Sequence, residues 1–365
     1  MHRSAVVVLF PLMGCTSQDV DATEGSRLLP APVELQVRTA QPDQLVLLSV
    51  GDTDVGNQGS ARLEVRGPDA AFVALDPYLD ADLGLVNLET TVTEDDPNDG
   101  SYDVHRMRPE WLSVLSERGL TVASVANNHT MDQGLGGLAE TLDWLDTEGM
   151  VAVGAGRTTD EARRAVILDT GSIRVGIVGA FERRTNGPYE DGWYADRGGG
   201  VLPLHDGPLL DDLRALDAQV DVLVVSVHWG QNYVQESEEL RGWARELVDA
   251  GVDLINGHGA HLVQGVEEVE GVPVLYSLGN FVFSSNGRYD EVEPELRLSV
   301  IARYVFDGRE LSAIELLPIR TDNQRVDFAP VPAEEAQATE QLLPQIERYG
   351  MSWVRRSEGW YEHAR

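Results

Sequence analysis

The feature that most constrains the fold of this chain is a succession of short apolar runs separated by stretches of helical periodicity. The runs are rich in β-branched side chains and none exceeds eight residues, which favours buried strands over helices. They cover residues 45–50, 83–88, 121–126, 151–155, 174–181, 222–229, 252–257 and 272–278. Helix candidates cover residues 109–118, 135–148, 208–218 and 237–250. This alternation predicts an α/β fold with buried sheets.

The C-terminal part of the chain follows a different pattern. Alternating apolar and polar residues after about residue 295 predict antiparallel strands. Residues 333–349 predict a helix interrupted near Pro344, and a cap follows it. Two irregular segments, 94–103 and 183–200, are typical of lids or substrate-contacting loops. We therefore expect a main domain at 45–330 and a C-terminal helix with its cap at 331–365.

The N-terminus has the features of an export signal. A short basic start is followed by ten apolar residues, too few to span a bilayer as a helix but sufficient for a signal peptide. The run ends at Leu12-Met13-Gly14-Cys15, which resembles a bacterial lipobox. We expect a signal peptide at 1–14, lipidation of Cys15, a polar tether at 15–44 and attachment of the exported protein to a membrane of the cell envelope. The alternative is an ordinary secretory leader with an incidental Cys.

The charge of the chain limits its partners. Its 365 residues include 61 acidic and 28 basic ones, for a net charge of −33. Most of the affinity for nucleic acid or an anionic membrane surface comes from neutralised phosphates, so this composition argues against both partners. A local site for a cation remains compatible with it.

Polar side chains follow several of the predicted strands. In an α/β sheet the carboxyl ends of parallel strands share one edge, where binding sites are built. Carboxylate, carboxamide and imidazole groups together are the ligands of Mn, Fe or Zn, and a thiolate zinc site is excluded because Cys15 is the only Cys. Each residue alone has an ordinary alternative, such as a helix cap, a turn or a core histidine. The candidate ligands are Asp52, Asp54, Glu89, Asn128, His228, His258 and His261.

Several segments carrying these residues match, in order, a known family. GDTDVG, VNLETTVT, ANNHTMDQGLGGLAETLDWL, VHWGQNY and GHGAHLVQGVEEVEGVPVLYSLGNFVFS resemble the CapA family of poly-γ-glutamate capsule synthesis proteins. The resemblance covers roughly residues 45–320. It implies a branch of the calcineurin-like metallophosphatases, with a four-layer α/β/β/α sandwich around a centre of one or two divalent cations.

The resemblance also implies roles for the matching residues. Asp52 matches the first residue of the Asp-x-His motif, and Asp54 stands where that motif has its His. Glu89 takes the place of the bridging Asp. Asn128 matches the Asn ligand, and His129 matches the catalytic His beside it.

The remaining matches concern the second half of the site. Asp132 matches the acidic residue that orients the catalytic His. His228 matches the isolated His ligand, and His258 and His261 stand for the last pair. The sequence differs from the family pattern at this last pair, because many relatives have His-Pro-His or His-Ala-His where this chain has Gly259-Ala260-His261. Either His258 takes the place of the absent ligand, or one ligand is missing.

Two classes of function are compatible with these residues. The first is a metal-dependent hydrolase of phosphoesterase type that acts in synthesis of poly-γ-glutamate or another envelope polymer, with His129 protonating the leaving group. The second is a non-catalytic, lipid-anchored accessory subunit that holds the polymer or a membrane synthase. A periplasmic-type binding protein would share the lipobox, but it does not require His at several strand ends.

Overall fold

The computed structural model describes residues 29–41, 43–94, 104–182, 193–195, 198–204, 207–284, 298–321 and 326–365. The strands in these segments, numbered along the chain, are β1 (Val33–Gln36), β2 (Gln44–Asp54), β3 (Leu83–Leu88), β4 (Thr91–Val92), β5 (Arg106–Met107), β6 (Leu120–Ser124), β7 (Val151–Val153), β8 (Ala155–Gly156), β9 (Val166–Asp169), β10 (Arg174–Phe181), β11 (Gly200–Val201), β12 (Val222–His228), β13 (Leu254–His258), β14 (Val266–Val269), β15 (Val272–Leu275), β16 (Asn280–Phe283), β17 (Leu298–Asp307), β18 (Glu310–Arg320), β19 (Val331–Pro332), β20 (Val354–Arg355) and β21 (Tyr361–Ala364).

The helices lie mainly between the strands. They are α1 (Asn57–Arg66), α2 (Glu110–Ser116), α3 (Gly134–Thr147), α4 (Thr159–Ala162), α5 (Gly207–Asp217), α6 (Glu238–Asp249), α7 (Glu335–Gln337) and α8 (Leu343–Ile346). Short 3-10 turns occupy Pro68–Ala71, Asp76–Tyr78 and Ser357–Gly359, and a π turn at Ala338–Leu342 joins α7 to α8. The Ser237 side chain caps α6 by accepting a hydrogen bond from the backbone N–H of Leu240.

Two large sheets form the centre of the molecule. One has the order β1-β9-β10-β12-β13-β15-β14, and the other has the order β20-β21-β18-β17-β2-β3-β6-β7. In the second sheet β16 also pairs with β2, and β19 pairs with β18. The strands β2, β3 and β6 run parallel to one another, and so do β10, β12, β13 and β15. Their carboxyl ends therefore lie together within each sheet.

The packing of apolar side chains separates four layers. Alternate residues of each strand face opposite sides, so Leu47 of β2 and Val224 of β12 belong to the core between the sheets. Leu48 of β2 packs on the other face with residues of α2 and α3, such as Leu112. Val225 of β12 packs with residues of α5 and α6. The predicted α/β/β/α sandwich is thus confirmed.

The sequence located most of these elements. Each predicted apolar run contributes a strand, although residues 151–155 divide into β7 and β8, and the four helix candidates correspond to α2, α3, α5 and α6. The C-terminal helix is interrupted by the π turn just before Pro344. Helix α1 is not among the helices that the sequence predicts.

Two segments pair with strands across the boundaries that the sequence predicts. The tether is expected to reach residue 44, but Val33–Gln36 form β1, which pairs with β9 and buries Leu35 between the sheets. The segment 331–365 is not a separate cap, because β19 and β21 both pair with β18. The partners of β1 and β21 are distant in sequence, so local patterns do not reveal these pairings.

Some predictions fall outside the described residues. These are the signal peptide, Cys15 and the first part of the tether, together with most of the two irregular segments. Among the helices that the structure does describe, none combines the length and apolar character needed to cross a membrane.

Candidate metal centre

The predicted site residues lie where the two sheets present their carboxyl ends. Asp52 and Asp54 close β2, and Glu89 follows β3 directly. From the other sheet, His228 is the last residue of β12 and His258 the last of β13. Neighbouring strands pair His228 with His258, so the two histidines are in register. Both sheets therefore contribute to one site.

Three of these residues form a compact group that could hold a cation. One ligand atom from each of Asp52, Glu89 and His261 lies within 4.8 Å of the others, and all three residues are buried. His261 Nδ1 is 3.2 Å from Asp52 Oδ2, and His261 Nε2 is 3.8 Å from Glu89 Oε1. Two buried carboxylates side by side are unfavourable without positive charge nearby. A divalent cation fits both the ligand types and the charge of this group.

Two further histidines border the group. His228 Nε2 is 3.7 Å from Glu89 Oε1, and His258 Nδ1 is 3.6 Å from Asp52 Oδ1. The Nε2 atom of His258 lies 2.8 Å from the Asn256 side-chain nitrogen. Within the described part of the chain, His258 Nδ1 has no hydrogen-bond partner, although it is fully buried. When the neutral ring accepts from Asn256 at Nε2, its proton is on Nδ1, the atom that faces Asp52.

The two adjacent asparagines have different environments. Asn127 donates to the Leu88 carbonyl and accepts from the backbone N–H of His129, at 2.8 and 3.1 Å. The Oδ1 atom of Asn128 is buried and makes no hydrogen bond to any described residue. Asn127 thus shapes the loop after β6, while Asn128 retains an oxygen available to a cation.

Burial and the neighbouring charges perturb the titration of the group. Burial disfavours charge on His261, but Glu89 and Asp52 outweigh it and raise the pKa of His261 to about 9. Burial lowers the pKa of His258 to about 4, against the attraction of Asp52. Burial opposes ionisation of Asp52, yet His261, His228 and His258 hold its pKa below its ordinary value. Without a cation, protonated His261 supplies the positive charge.

Gly259 occupies a position where a side chain has no room. Its φ is +99°, and a Cβ there would lie 2.7 Å from His228 Nε2 and 3.0 Å from the Trp229 carbonyl oxygen. Its backbone N–H faces both carboxylate oxygens of Asp52, at 3.3 and 3.2 Å. The backbone thus contacts Asp52 where relatives with His at this position would carry an imidazole. His258, the predicted substitute, does lie against the same carboxylate.

A second polar cluster adjoins the group. His129 Nδ1 is 2.8 Å from Asp132 Oδ2, and that oxygen also accepts from the backbone N–H of His105 at 2.6 Å. The rings of His105 and His129 stack with their centroids 3.6 Å apart. Burial lowers the pKa of His129, and His105 lowers it further, while Asp132 opposes both.

The structure places Asp54 in this second cluster. Its Oδ2 atom is 3.1 Å from His105 Nδ1, and it is not part of the group formed by Asp52, Glu89 and His261. Sequence reasoning missed His105, which precedes the two-residue strand β5 and follows no apolar run. Its only signal is that it is one of eight histidines in the chain.

Comparison with known proteins identifies relatives in capsule and polyglutamine synthesis. Residues 46–285 match the family described as bacterial capsule synthesis protein PGA_cap. A probable polyglutamine synthesis accessory protein of Mycobacterium tuberculosis is 33% identical over 261 residues, covering 68% of each chain. The PGA biosynthesis protein CapA of Bacillus subtilis is 28% identical over 296 residues, covering 78% of this chain and 73% of that protein. The capsule biosynthesis protein CapA of Bacillus anthracis is 26% identical over 293 residues, covering 78% and 69%.

Similarity to solved structures is weak. A hypothetical protein from Thermus thermophilus matches with a TM-score of 0.44 and 16% identity, over 75% of this chain and 98% of that one. The calcineurin-like phosphoesterase YfkN from Bacillus subtilis matches with a TM-score of 0.34 and 15% identity, over 80% and 88%. The four-layer architecture follows from the strand order and the apolar packing described above.

Proposed function

Because the chain belongs to the bacterial capsule synthesis protein family PGA_cap, as its motifs predicted, we propose that it is a metal-dependent hydrolase of phosphoesterase type. It acts in the synthesis of poly-γ-glutamate or another envelope polymer. The observation that carries the proposal is the buried group of Asp52, Glu89 and His261. A buried group with two carboxylates and several imidazoles is costly to fold unless it serves a bound cation.

The side chains of the site would have different roles in such a reaction. Asp52, Glu89 and His261 would hold the cation, with His228, His258 and Asn128 at its border. A divalent cation bound there would polarise a phosphoryl oxygen and make a neighbouring water molecule more acidic.

His129 supplies the proton chemistry. In its neutral ring Asp132 accepts the Nδ1 proton, so exchange with a substrate takes place at Nε2. The role that we propose for His129 is to take up a proton at Nε2 and then to donate it from that atom to the leaving group, which returns the ring to its neutral form. Asp132 would fix the ring and its tautomer.

The place of action follows from the N-terminus. We propose that the protein is exported and held at the envelope by a lipid on Cys15, where a polymer synthase is a candidate partner. A polyanionic polymer would be repelled by a protein of net charge −33 unless salt or cations screened the repulsion. A phosphoester in the buried site would be close to the bound cation, whose attraction at short range opposes the repulsion from the distant surface carboxylates.

A second candidate is a non-catalytic accessory subunit that holds the polymer or a membrane synthase. The specific observation favouring it is Gly259, where an imidazole ligand is replaced by a backbone N–H in a space too small for a side chain. The printed name of the mycobacterial relative also describes an accessory protein.

Turnover of simple phosphoesters separates the two candidates. The full chain in mild detergent is assayed with Mn²⁺, Fe²⁺ or Zn²⁺ on 4-nitrophenyl phosphate, bis(4-nitrophenyl) phosphate and poly-γ-glutamate. The hydrolase predicts turnover of a phosphoester that Asp52→Asn abolishes. The control Asp211→Asn, an exposed residue of α5, should leave turnover unchanged. Absence of turnover with every metal and substrate would overturn the hydrolase in favour of the accessory subunit.

A further inference from the structure

Asp54 and His105 form a pair that the proposed reaction does not use. Their side chains are 0% and 7% exposed, and Asp54 Oδ2 lies 3.1 Å from His105 Nδ1. Neither of these two atoms makes a hydrogen bond to any residue that the structure describes. The carboxylate and the imidazole are thus close in space without being aligned as donor and acceptor.

That separation is typical of two ligands of one cation. Ligand atoms about 2.1 Å from a cation, at an angle of about 90–109°, lie about 3.0–3.4 Å apart. An Asp–His ion pair would instead direct an N–H bond at the carboxylate oxygen, and such bonds are short and nearly linear. The 3.1 Å separation of Asp54 Oδ2 and His105 Nδ1 therefore fits two ligands of one cation.

Both side chains are held in place from other directions. The backbone N–H of Gly56 donates to Asp54 Oδ1 at 2.8 Å, which leaves Oδ2 for His105. The His105 ring stacks on His129, and its backbone N–H is bound to Asp132. Preorganisation of this kind is characteristic of metal ligands.

The pair also lies beside the first group of ligands. Asp52 and Asp54 are two residues apart on β2, a spacing that puts both side chains on the same face of a strand. The Phe283 ring packs against both His261 and His105, with ring centroids 5.0 and 5.7 Å away. Both imidazoles thus border the same small region.

We propose that Asp54 and His105 bind a second divalent cation, and that His105 supplies the imidazole that this chain lacks at position 54. This rests on the metal dependence of the proposed function and extends it to a ligand from outside the family motifs. An imidazole with a carboxylate selects Mn²⁺, Fe²⁺, Co²⁺ or Zn²⁺ rather than Ca²⁺. The remaining coordination positions are open to water or substrate oxygen.

The test counts cations and does not depend on turnover. The full chain is freed of metal, titrated with Co²⁺, dialysed and analysed by elemental mass spectrometry, with visible absorption followed during the titration. Wild-type protein should bind two Co²⁺. His105→Phe, which keeps an aromatic ring against His129, should bind one, or bind the second about 10–100-fold more weakly. Asp54→Asn, which keeps an acceptor for Gly56, should lose the same cation.

A control variant and three contrary outcomes complete the test of the second cation site. His363→Phe, a partly exposed histidine of β21, should retain both cations, and unchanged melting temperatures would show that each variant folds. One cation or none in the wild type, or two bound equally tightly by His105→Phe and Asp54→Asn, would overturn the proposal. If the wild type binds two cations but hydrolyses no substrate, this site is upheld and the hydrolase is refuted. If the wild type hydrolyses a phosphoester and His105→Phe binds cations as the wild type does, the hydrolase is upheld and this site is refuted.

Discussion

Substitution of Gly259 tests whether the local backbone excludes the imidazole that many relatives carry. A side chain at a φ of +99° is strained, at about 1–2 kcal/mol. A Cβ only 2.7 Å from His228 Nε2 adds an overpacking cost of about 1–3 kcal/mol. Gly259→Ala should therefore destabilise the protein by about 2–5 kcal/mol.

Calorimetry of the metal-free chain measures this cost. At about 2 °C per kcal/mol for a domain of this size, the melting temperature should fall by about 4–10 °C. The matched control is Gly136→Ala in α3, where a Cβ would meet nothing within 4 Å and where alanine favours the helix. That variant should melt at or slightly above the wild-type temperature.

The effect should extend to metal binding, because the atom that the new Cβ approaches belongs to His228. Gly259→Ala should weaken cation binding, and Gly259→His should weaken it further despite adding a potential ligand. If Gly259→His instead bound metal more tightly than the wild type without loss of stability, the steric argument would be refuted.

The other predictions concern the ligands, the proton and the anchor. Asn128→Ala should lower cation affinity without loss of stability, because the Asn128 oxygen makes no hydrogen bond to any described residue. Asn127→Ala should lower the melting temperature, because the Asn127 side chain holds the loop by hydrogen bonds. Titration calorimetry measures the cation affinity of both variants, and thermal melts measure their stability. Since the pKa of His261 is raised to about 9, cation binding at pH 7 should release close to one proton. Cation affinity should therefore rise between pH 7 and a pH of about 9. Calorimetry in buffers of different ionisation enthalpy counts the released proton. His129→Ala should abolish hydrolysis while the cation content stays unchanged, and loss of the cation would show that the roles are assigned wrongly. Cys15→Ser should move the protein from the membrane to the soluble fraction, and unchanged fractionation would contradict lipidation.

Local patterns were sufficient to predict the central strands and most of the candidate ligands. Strands such as β12 are buried on both faces, so their composition alone distinguishes them from helices. The carboxyl ends of parallel strands share an edge within each sheet, so the sequence pattern could place Asp52 near Glu89 and His228 near His258. That the two edges meet at one site follows only from the packing of the two sheets. The sequence did not predict β1, because this strand is stabilised by pairing with β9, more than a hundred residues away.

His105 shows why part of the site was not predictable. It lies at the end of no apolar run, and its neighbours Asp54, His129 and Asp132 come from other segments of the chain. Strand periodicity locates side chains at the ends of strands, but it contains no information about which short connecting segment folds back over them. Only the three-dimensional contacts bring this histidine to the site.

The origin of the ligands in two sheets also changes how some core residues should be interpreted. Asp52 and Glu89 come from one sheet, and His228 and His258 from the other, so the geometry of the site depends on how the sheets pack. Asn256 lies at that interface, where it accepts a hydrogen bond from Tyr304 and donates to Ser49 and His258. A buried polar bridge is less stabilising than apolar packing of similar volume, but it fixes the relative position of the groups that it joins. We therefore expect Tyr304 and Asn256 to position the residues of the candidate metal centre, although by burial alone they would be assigned to the core.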